Sequence, residues 1–396
     1  MTQETPPLPT LPMQLMLSLG CWLSSPFALQ CAKSVWPPSS SNLKSLPENL
    51  ALQKAIAEEA KNRATSLLKG ILRYYDTPYA HSVSTPPCIW QRGNARLLDY
   101  GLKTAGGNQP VVLFIPSLIN RYYILDLEEK RSLLRFIATQ GIYPLVLDWG
   151  EPGNFEQSFN CGDYITEILN AAIDFIASSA GSRIVLAGYC MGGNLALAAA
   201  QLQRKHVSAL ALLATPWDFH CKAFLPFVID KKWLPMVDKM VTAQKTLPAE
   251  IIQSLFYMTD PWVFEHKFRR FAGLDPKSRE TKEFVSLEHW VNDGVPMTAN
   301  VARDCLIDWA QENNLANGKW QVAGQTIDPK KIKMPTFIAM PESDHVVPRD
   351  CAAPLAKVMP HAQVTHPSAG HVGMIVGSHA KEELWQPLAD WILTIS

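Results

Sequence analysis

The segment Gly188–Gly192 has the residue types and spacing of a nucleophile elbow, Gly-x-Cys-x-Gly, with cysteine in the position that serine usually holds. A strand pattern precedes this segment and a helix pattern, Gly193–Gln203, follows it. A nucleophile on so sharp a turn adopts a strained conformation, and small neighbours avoid clashing with it. We predict that Cys190 is a nucleophile and that the backbone N–H of Met191 forms half of an oxyanion hole. The alternative is a buried structural cysteine in a tight turn.

An elbow of this kind requires an acid and then a histidine further along the chain. Asp344 comes just after the strand pattern that begins at Thr336, and His371 lies between glycines after the last strand pattern. We therefore predict that His371 is the general base and that Asp344 is its acidic partner. Asp218 also follows the end of a strand, and it is the alternative acid.

The second donor of the oxyanion hole should come from the loop after the first core strand. That strand is predicted at Val111–Pro116, and we expect the donor to be the backbone N–H of Ile119.

A cysteine nucleophile favours acyl transfer over simple hydrolysis. A serine acyl-enzyme is an oxygen ester, which lies below a thioester in free energy, whereas a cysteine exchanges one thioester for another at little change. The acyl group then stays activated for transfer to a second acceptor, such as an alcohol. Some hydrolases also use cysteine, so hydrolysis stays open.

The elements that must position these residues alternate along the chain. Continuous apolar strands and amphipathic helices take turns over residues 109–216, which predicts a parallel sheet covered by helices on both faces. The pattern resumes near Thr336. Residues 217–331 lack it and are rich in Trp, Phe and Met, which predicts an inserted helical cap. We expect an α/β catalytic core at residues 107–216 and 332–396.

Residues 1–106 are predicted to be a leader in three parts. It would contain an apolar arm at Leu11–Ala32, then a Pro- and Ser-rich linker and a helix at Leu50–Tyr75. The arm is expected to be mobile; the alternative is an arm that binds a surface or a partner. The arm has prolines at positions 12 and 26 and no basic residue before it, so neither a signal peptide nor a spanning helix is predicted.

The composition excludes several function classes. The 396 residues include 36 basic and 36 acidic side chains, so no basic excess is available to bind nucleic acid. Eight cysteines without a Cys-x-x-Cys pair predict reduced thiols in a cytoplasm and no zinc ribbon. No metal- or nucleotide-binding motif is present, and we expect no metal and no cofactor.

The chain resembles the polyhydroxyalkanoate synthases, the catalytic subunits that polymerise (R)-3-hydroxyacyl-CoA. The elbow alone is not decisive, because dienelactone hydrolases carry almost the same hexapeptide. The more specific blocks are Ile119–Leu127, Leu147–Gly150, Thr215–Phe219, Trp290–Gly294, Asn313–Pro329 and Ser343–Pro348. The resemblance runs from about Leu97 to the end of the chain, and it implies the α/β-hydrolase fold.

The resemblance implies that Cys190 takes the acyl group from CoA with His371 as base. Asp344 would help to deprotonate the 3-hydroxyl of the incoming unit, directly or through His371. It implies no cofactor, since CoA belongs to the substrate and product. It also implies a polyester granule surface in the cytoplasm, a homodimer formed through the cap, and in some relatives a second synthase subunit.

Two departures from the family pattern leave its finer implications open. The leader is longer than in the two-subunit synthases and shorter than in the single-subunit ones, and Tyr189 and Met191 are unusual in the elbow. The alternative function is a thiol-dependent hydrolase of esters, lactones or polyester; a non-catalytic granule-binding relative is a third. The substrate pocket should depend on the cap, where Trp217, Trp262, Trp290 and Trp309 are candidate lining residues.

Overall fold

The computed structural model describes residues 8–22, 50–79, 83–101, 109–180, 183–221, 245–259 and 262–395, with isolated helical positions between 235 and 243. The chain forms two compact units. The first combines the described part of Met1–Ala80 with Asp260–Asn292, and the second combines His81–Thr259 with Asp293–Ser396. The division into leader, core and cap made along the sequence stays a prediction.

The second unit contains an eight-stranded sheet. Its strands are β1 Cys88–Arg92, β2 Ala95–Asp99, β3 Val111–Ile115, β4 Tyr143–Asp148, β5 Ile184–Tyr189, β6 Val207–Leu213, β7 Thr336–Ala339 and β8 Gln363–Thr365. The spatial order is β1-β2-β4-β3-β5-β6-β7-β8. Strands β3 to β8 pair in parallel, while β2 pairs antiparallel with both β1 and β4. The predicted mostly parallel sheet is therefore confirmed.

The central strands form because they are apolar throughout. Every residue of β3 and β5 is buried, as a strand covered on both faces requires. The hairpin of β1 and β2 was not predicted from the sequence. All of β1 is exposed except Trp90, which is half-buried, so it lacks the apolar run that marked the other strands.

Helices follow the strands of this sheet. The helices of the core are Leu133–Thr139, Cys161–Asp163 continuing as a π-helix Tyr164–Leu169 and as Asn170–Ala180, Met191–Leu202, Arg349–Val358, Gly373–Val376, and a π-helix Lys381–Trp385 continuing as Gln386–Thr394. Short 3₁₀ turns occupy Tyr122–Leu125 and Pro329–Lys331, and a small antiparallel pair joins Asp126–Glu128 to Arg131–Ser132.

The stretch between β6 and β7 is mostly helical in its described part. Its helices are Ala249–Thr259, Val263–Ala272, Arg279–Asn292, and Ala299–Arg303 continuing as a π-helix Asp304–Gln311. It also contains two small antiparallel pairs, Thr246–Leu247 with Met297–Thr298 and Gln321–Val322 with Gln325–Thr326. Val263–Ala272 and Arg279–Asn292 belong to the first unit and the other elements to the second.

The first unit is held by a close crossing of two helices. Helix Leu50–Asp76 packs against Val263–Ala272, and a Cβ added at Gly70 would lie 2.0 Å from the carbonyl oxygen of Phe268. Only glycine allows this approach. A further helix spans residues 11–22 with Leu8, Gln14, Ser18 and Trp22 buried. One face of this helix is buried, while the mobility expected of the arm stays a prediction; the rest of the arm, 23–32, lies outside the described residues.

Candidate active site

Cys190 lies on the turn between β5 and the helix Met191–Leu202. Its backbone has φ 55° and ψ −128°, a left-handed conformation that is rare for a residue with a side chain. The backbone N–H of Cys190 donates to the carbonyl oxygen of Leu213 at 2.8 Å, which ties the turn to β6. The structure therefore has the strained strand-to-helix turn that the glycine spacing predicted.

The elbow glycines are required by close packing. A Cβ at Gly188 would lie 2.4 Å from the carbonyl oxygen of Gly192, and a Cβ at Gly192 would lie 2.0 Å from that of Ile115. At Gly193 the added atom would lie 1.8 Å from Oγ1 of Thr215. Real Cβ contacts essentially never fall below 3.0 Å. The helix start is thus pressed against the end of β3, from which the loop containing Ile119 departs.

His371 and Asp344 form a buried pair at the carboxyl edge of the sheet. Nδ1 of His371 and Oδ2 of Asp344 are 2.7 Å apart. The other carboxylate oxygen of Asp344 accepts from the backbone N–H groups of Val346 and Val347 at 2.8 and 2.7 Å. These bonds hold the carboxylate rigidly, and an ionised Asp344 requires the proton on Nδ1 of the imidazole, which leaves Nε2 for another partner.

The alternative acid, Asp218, does not bind His371. Its Oδ1 accepts from Nδ2 of Asn313 at 2.8 Å and from the backbone N–H of His220 at 3.0 Å. Its own N–H donates to the carbonyl oxygen of Cys351. Asp218 therefore braces a loop, and of the two candidates it is Asp344 that lies against the imidazole.

The pKa of His371 is raised from 6.5 to about 10. Burial lowers it, but the charge of Asp344, the charge of Cys190 and hydrogen bonds to both side chains outweigh burial. The Cys190 side chain is thus close enough to the imidazole to act on its pKa. The three side chains predicted from the sequence meet here; their catalytic roles stay a prediction.

Tyr189 supports the imidazole, which the sequence did not indicate. The Tyr189 and His371 rings stack with centroids 5.1 Å apart, and the Tyr189 hydroxyl donates to the carbonyl oxygen of His371 at 3.2 Å. Burial raises the pKa of the Tyr189 phenol well above its usual value, so it stays neutral. The unusual tyrosine in the elbow was the one indication in the sequence. Its contact with His371 could not be predicted, because the two residues are far apart along the chain.

The two residues predicted to supply the oxyanion hole line the same cavity as Cys190. Met191 is the first residue of its helix, where a backbone N–H has no partner within the helix. The N–H of Ile119 donates to Oγ of Ser117 at 3.3 Å, a long and weak bond within its own loop. Ile119, Met191 and Cys190 line one cavity, and the role of the two amides stays a prediction.

The cavity at Cys190 has a volume of about 100 Å³ and an apolar lining. The stretch between β6 and β7 contributes, among others, Ile252, Leu255, Phe256, Leu306 and Trp309. Such a surface suits a short aliphatic acyl group better than a charged one.

Of the four tryptophans considered from the sequence, only Trp309 lines this cavity within the described residues. Trp217 packs in the hydrophobic core of the second unit. Trp262 and Trp290 belong to the first unit.

No helix within the described residues is long and apolar enough to cross a membrane. No group of three or more His, Cys, Asp or Glu side chains is arranged there to hold a metal ion.

Two family profiles match the chain. One described as "alpha/beta hydrolase fold" matches residues 110–378, and one described as "Poly-beta-hydroxybutyrate polymerase (PhaC) N-terminus" matches residues 82–137. The predicted α/β-hydrolase fold is thereby confirmed.

Curated proteins from archaea and bacteria are also similar to this chain. The poly(3-hydroxyalkanoate) polymerase subunit PhaC of Haloferax mediterranei is 30% identical, with 76% of this chain and 62% of the relative covered. The subunit of the same name from Haloarcula marismortui is 28% identical, with 76% and 66% covered, and that of Allochromatium vinosum is 26% identical, with 72% and 81% covered. The resemblance drawn from the sequence blocks is confirmed, although this chain spans less than two thirds of the two archaeal relatives.

Proposed function

We propose that this chain, which belongs to the α/β-hydrolase fold family, is a polyhydroxyalkanoate synthase that polymerises (R)-3-hydroxyacyl-CoA through a thioester on Cys190. The observation that carries the proposal is a cysteine, in place of serine, on a strained elbow that lines an apolar cavity and acts on the pKa of a buried His–Asp pair. The similarity to proteins named poly(3-hydroxyalkanoate) polymerase supports this choice of substrate.

In the first half-reaction the thiol of Cys190 gives its proton to Nε2 of His371, and its sulfur attacks the thioester carbonyl of the acyl-CoA. The N–H groups of Met191 and Ile119 stabilise the oxyanion as the new carbon–sulfur bond forms. The bond to the CoA sulfur then breaks, and the CoA thiolate takes the proton from Nε2 of His371. An imidazole with a pKa of about 10 carries that proton at neutral pH, which supports this role.

In the second half-reaction the 3-hydroxyl of another unit attacks the Cys190 thioester. His371 takes the hydroxyl proton, an oxygen ester forms, and the bond between the acyl carbon and the sulfur of Cys190 breaks, which restores the thiolate beside the imidazolium. The chain, now one unit longer and still a CoA thioester, returns to Cys190 with release of CoA. Acylation removes the charge of Cys190, one of the causes that raise the pKa of His371. The pKa of the imidazole therefore falls in the acyl-enzyme, which makes it a better base when a base is required. Asp344 acts through the imidazole to which it is bonded.

The apolar cavity would hold the acyl group and exclude water from the thioester. Water is the competing nucleophile, and its exclusion separates a polymerase from a hydrolase. The proposal includes a cytoplasmic location at the surface of the polyester granule, because the substrate is a CoA thioester and the product is insoluble. A homodimer and a second synthase subunit belong to the same proposal and stay untested.

The test incubates purified protein with (R)-3-hydroxybutyryl-CoA, with and without candidate partner subunits. We expect CoA release together with polymer, and loss of both in the Cys190→Ala variant. Release of CoA with free hydroxybutyrate and no polymer would favour the thiol hydrolase instead. Absence of CoA release under every condition, or granule formation in cells that survives Cys190→Ala, would contradict the proposal.

A further inference from the structure

The loop containing Ile119 is tied to a second segment of chain that follows the helix Arg279–Asn292. The N–H of Val295 donates to the carbonyl oxygen of Ile119 at 2.9 Å, and Asn120 forms an antiparallel bridge with Gly294. The proposed oxyanion donor thus sits one peptide from a backbone pairing with a distant part of the sequence.

One carboxylate in that segment binds the loop twice. Oδ1 of Asp293 accepts from Nε of Arg121 at 3.1 Å, and Oδ2 accepts from the Tyr123 hydroxyl at 2.9 Å. Another nitrogen of the Arg121 guanidinium pairs with Glu151, which lies in the loop after β4. The two oxygens of Asp293 bind side chains two residues apart in the loop. They therefore fix the direction of the loop as well as its distance from Asp293. We call Asp293, Arg121 and Tyr123 the loop clasp.

The clasp contributes little to the stability of the fold. The Asp293 side chain is 40% exposed and that of Arg121 is 23% exposed, so water screens their attraction. The position of the loop, in contrast, has a large effect on the rate of a reaction at this site. A displacement of the order of 1 Å at a reacting centre costs about 100-fold in rate, and an oxyanion donor acts only when it lies at hydrogen-bond distance.

We propose that Asp293 is a positioning residue that holds the N–H of Ile119 in register with the sulfur of Cys190, through Arg121 and Tyr123. The inference rests on the proposed acyl transfer, since it assigns a purpose to the oxyanion loop of that reaction. The 3.3 Å bond from the Ile119 N–H to Ser117 is too weak to orient the amide by itself. The clasp and the Val295 bond supply the constraint from outside the loop.

The test compares Asp293→Ala with Asp293→Asn and with a control, Asp99→Ala. Asp99 also accepts from a tyrosine hydroxyl, that of Tyr143 at 2.7 Å, but Tyr143 begins β4 and lies at the edge of the sheet opposite the carboxyl ends. Asp293→Ala should lower kcat for hydroxybutyryl-CoA by at least about tenfold while KM stays within about twofold, because the amide acts in the transition state. Asp293→Asn should fall between wild type and Asp293→Ala, and Asp99→Ala should match wild type.

Two further readouts separate positioning from general damage. Alkylation of Cys190 by iodoacetamide needs the thiolate but no oxyanion hole, so its rate should stay within about twofold in Asp293→Ala. Hydrogen exchange at the backbone amides of residues 117–123 should be faster in that variant and unchanged in Asp99→Ala. An unchanged kcat, an unchanged exchange rate, or an equal fall in kcat and alkylation would overturn the inference.

Failure of the proposed function would look different. In that case wild type releases no CoA and makes no polymer, and kcat is measured on p-nitrophenyl butyrate instead. If that ester is not cleaved either, the exchange of residues 117–123 decides whether Asp293 holds the loop.

Discussion

Replacing Asp344 by asparagine tests the proposed chemistry while preserving the shape of the site. In wild type, Oδ1 of Asp344 accepts from the N–H groups of Val346 and Val347, and Oδ2 accepts from Nδ1 of His371 at 2.7 Å. An asparagine can keep its carbonyl oxygen on the two backbone groups. Its NH₂ group then faces His371 and can only donate, which moves the ring proton from Nδ1 to Nε2. An imidazole of that form cannot accept a proton from Cys190 or from a hydroxyl.

The expected loss is large in rate and moderate in stability. The same exchange of an aspartate in a Ser–His–Asp enzyme lowers kcat about 10⁴-fold, and we expect about 10³ to 10⁴ here, which is roughly 4–5.5 kcal/mol of activation free energy. The loss of one charge-assisted hydrogen bond should lower the free energy of unfolding by about 1.5–3 kcal/mol. Asp344→Ala should destabilise the protein further, because two backbone N–H groups then lose their acceptor.

The assay is the initial rate of CoA release from (R)-3-hydroxybutyryl-CoA, combined with urea unfolding of each variant. The matched control is Asp218→Asn. Asp218 accepts hydrogen bonds from Asn313 and from a backbone N–H of its own loop, and it does not bind the imidazole. We expect the control to retain its rate within a few-fold. The reasoning is refuted if Asp344→Asn keeps more than about a tenth of the wild-type rate, or if Asp218→Asn loses as much.

Three more predictions concern the elbow, the pH dependence and the cavity. Gly192→Ala places a methyl group 2.0 Å from a backbone carbonyl oxygen of β3, and should lower the free energy of unfolding by about 3 kcal/mol in urea titrations; Gly20→Ala, where nothing lies within 4 Å, should not destabilise the protein. The pKa of His371 is about 10 in the folded protein and ordinarily 6.5, so the protonated imidazole stabilises the fold fully below about pH 6.5, and this stabilisation is lost as pH rises to about 10. The difference in the free energy of unfolding between wild type and His371→Gln should therefore be larger at pH 6 than at pH 10. A difference that grows with pH would contradict this prediction. Phe256→Ala enlarges the cavity and should raise the kcat/KM for hydroxyhexanoyl-CoA relative to hydroxybutyryl-CoA by about tenfold, whereas the exposed Phe155, outside the cavity, serves as a control whose removal should leave the ratio unchanged.

The parts of the site that follow from local chain geometry were predictable. The spacing of Gly188, Cys190 and Gly192 can be recognised in the sequence because a strained turn excludes larger side chains, and this requirement is local. The strands β3, β5 and β6 were equally clear, since burial on both faces leaves an uninterrupted apolar run. His371 and Asp344 could then be assigned from chain order relative to those strands.

The parts that depend on distant contacts were not predictable. The choice between Asp344 and Asp218 needed the 2.7 Å contact with His371, because both acids follow a strand. The clasp of Asp293 on Arg121 and Tyr123 joins residues about 170 positions apart. All three lie in blocks that carry the family resemblance, but no local pattern in those blocks shows that the residues meet. The grouping of Asp260–Asn292 with the first 80 residues arises in the same way, from packing between helices that no local pattern reveals.

The most direct measurement is mass spectrometry of the intact protein and its peptides after rapid quenching with (R)-3-hydroxybutyryl-CoA. We predict a hydroxybutyryl adduct on the peptide containing Cys190, released by neutral hydroxylamine as a thioester should be, and absent in Cys190→Ala. An adduct on another residue, or turnover of the substrate with Cys190 unmodified at every time point, would contradict the account.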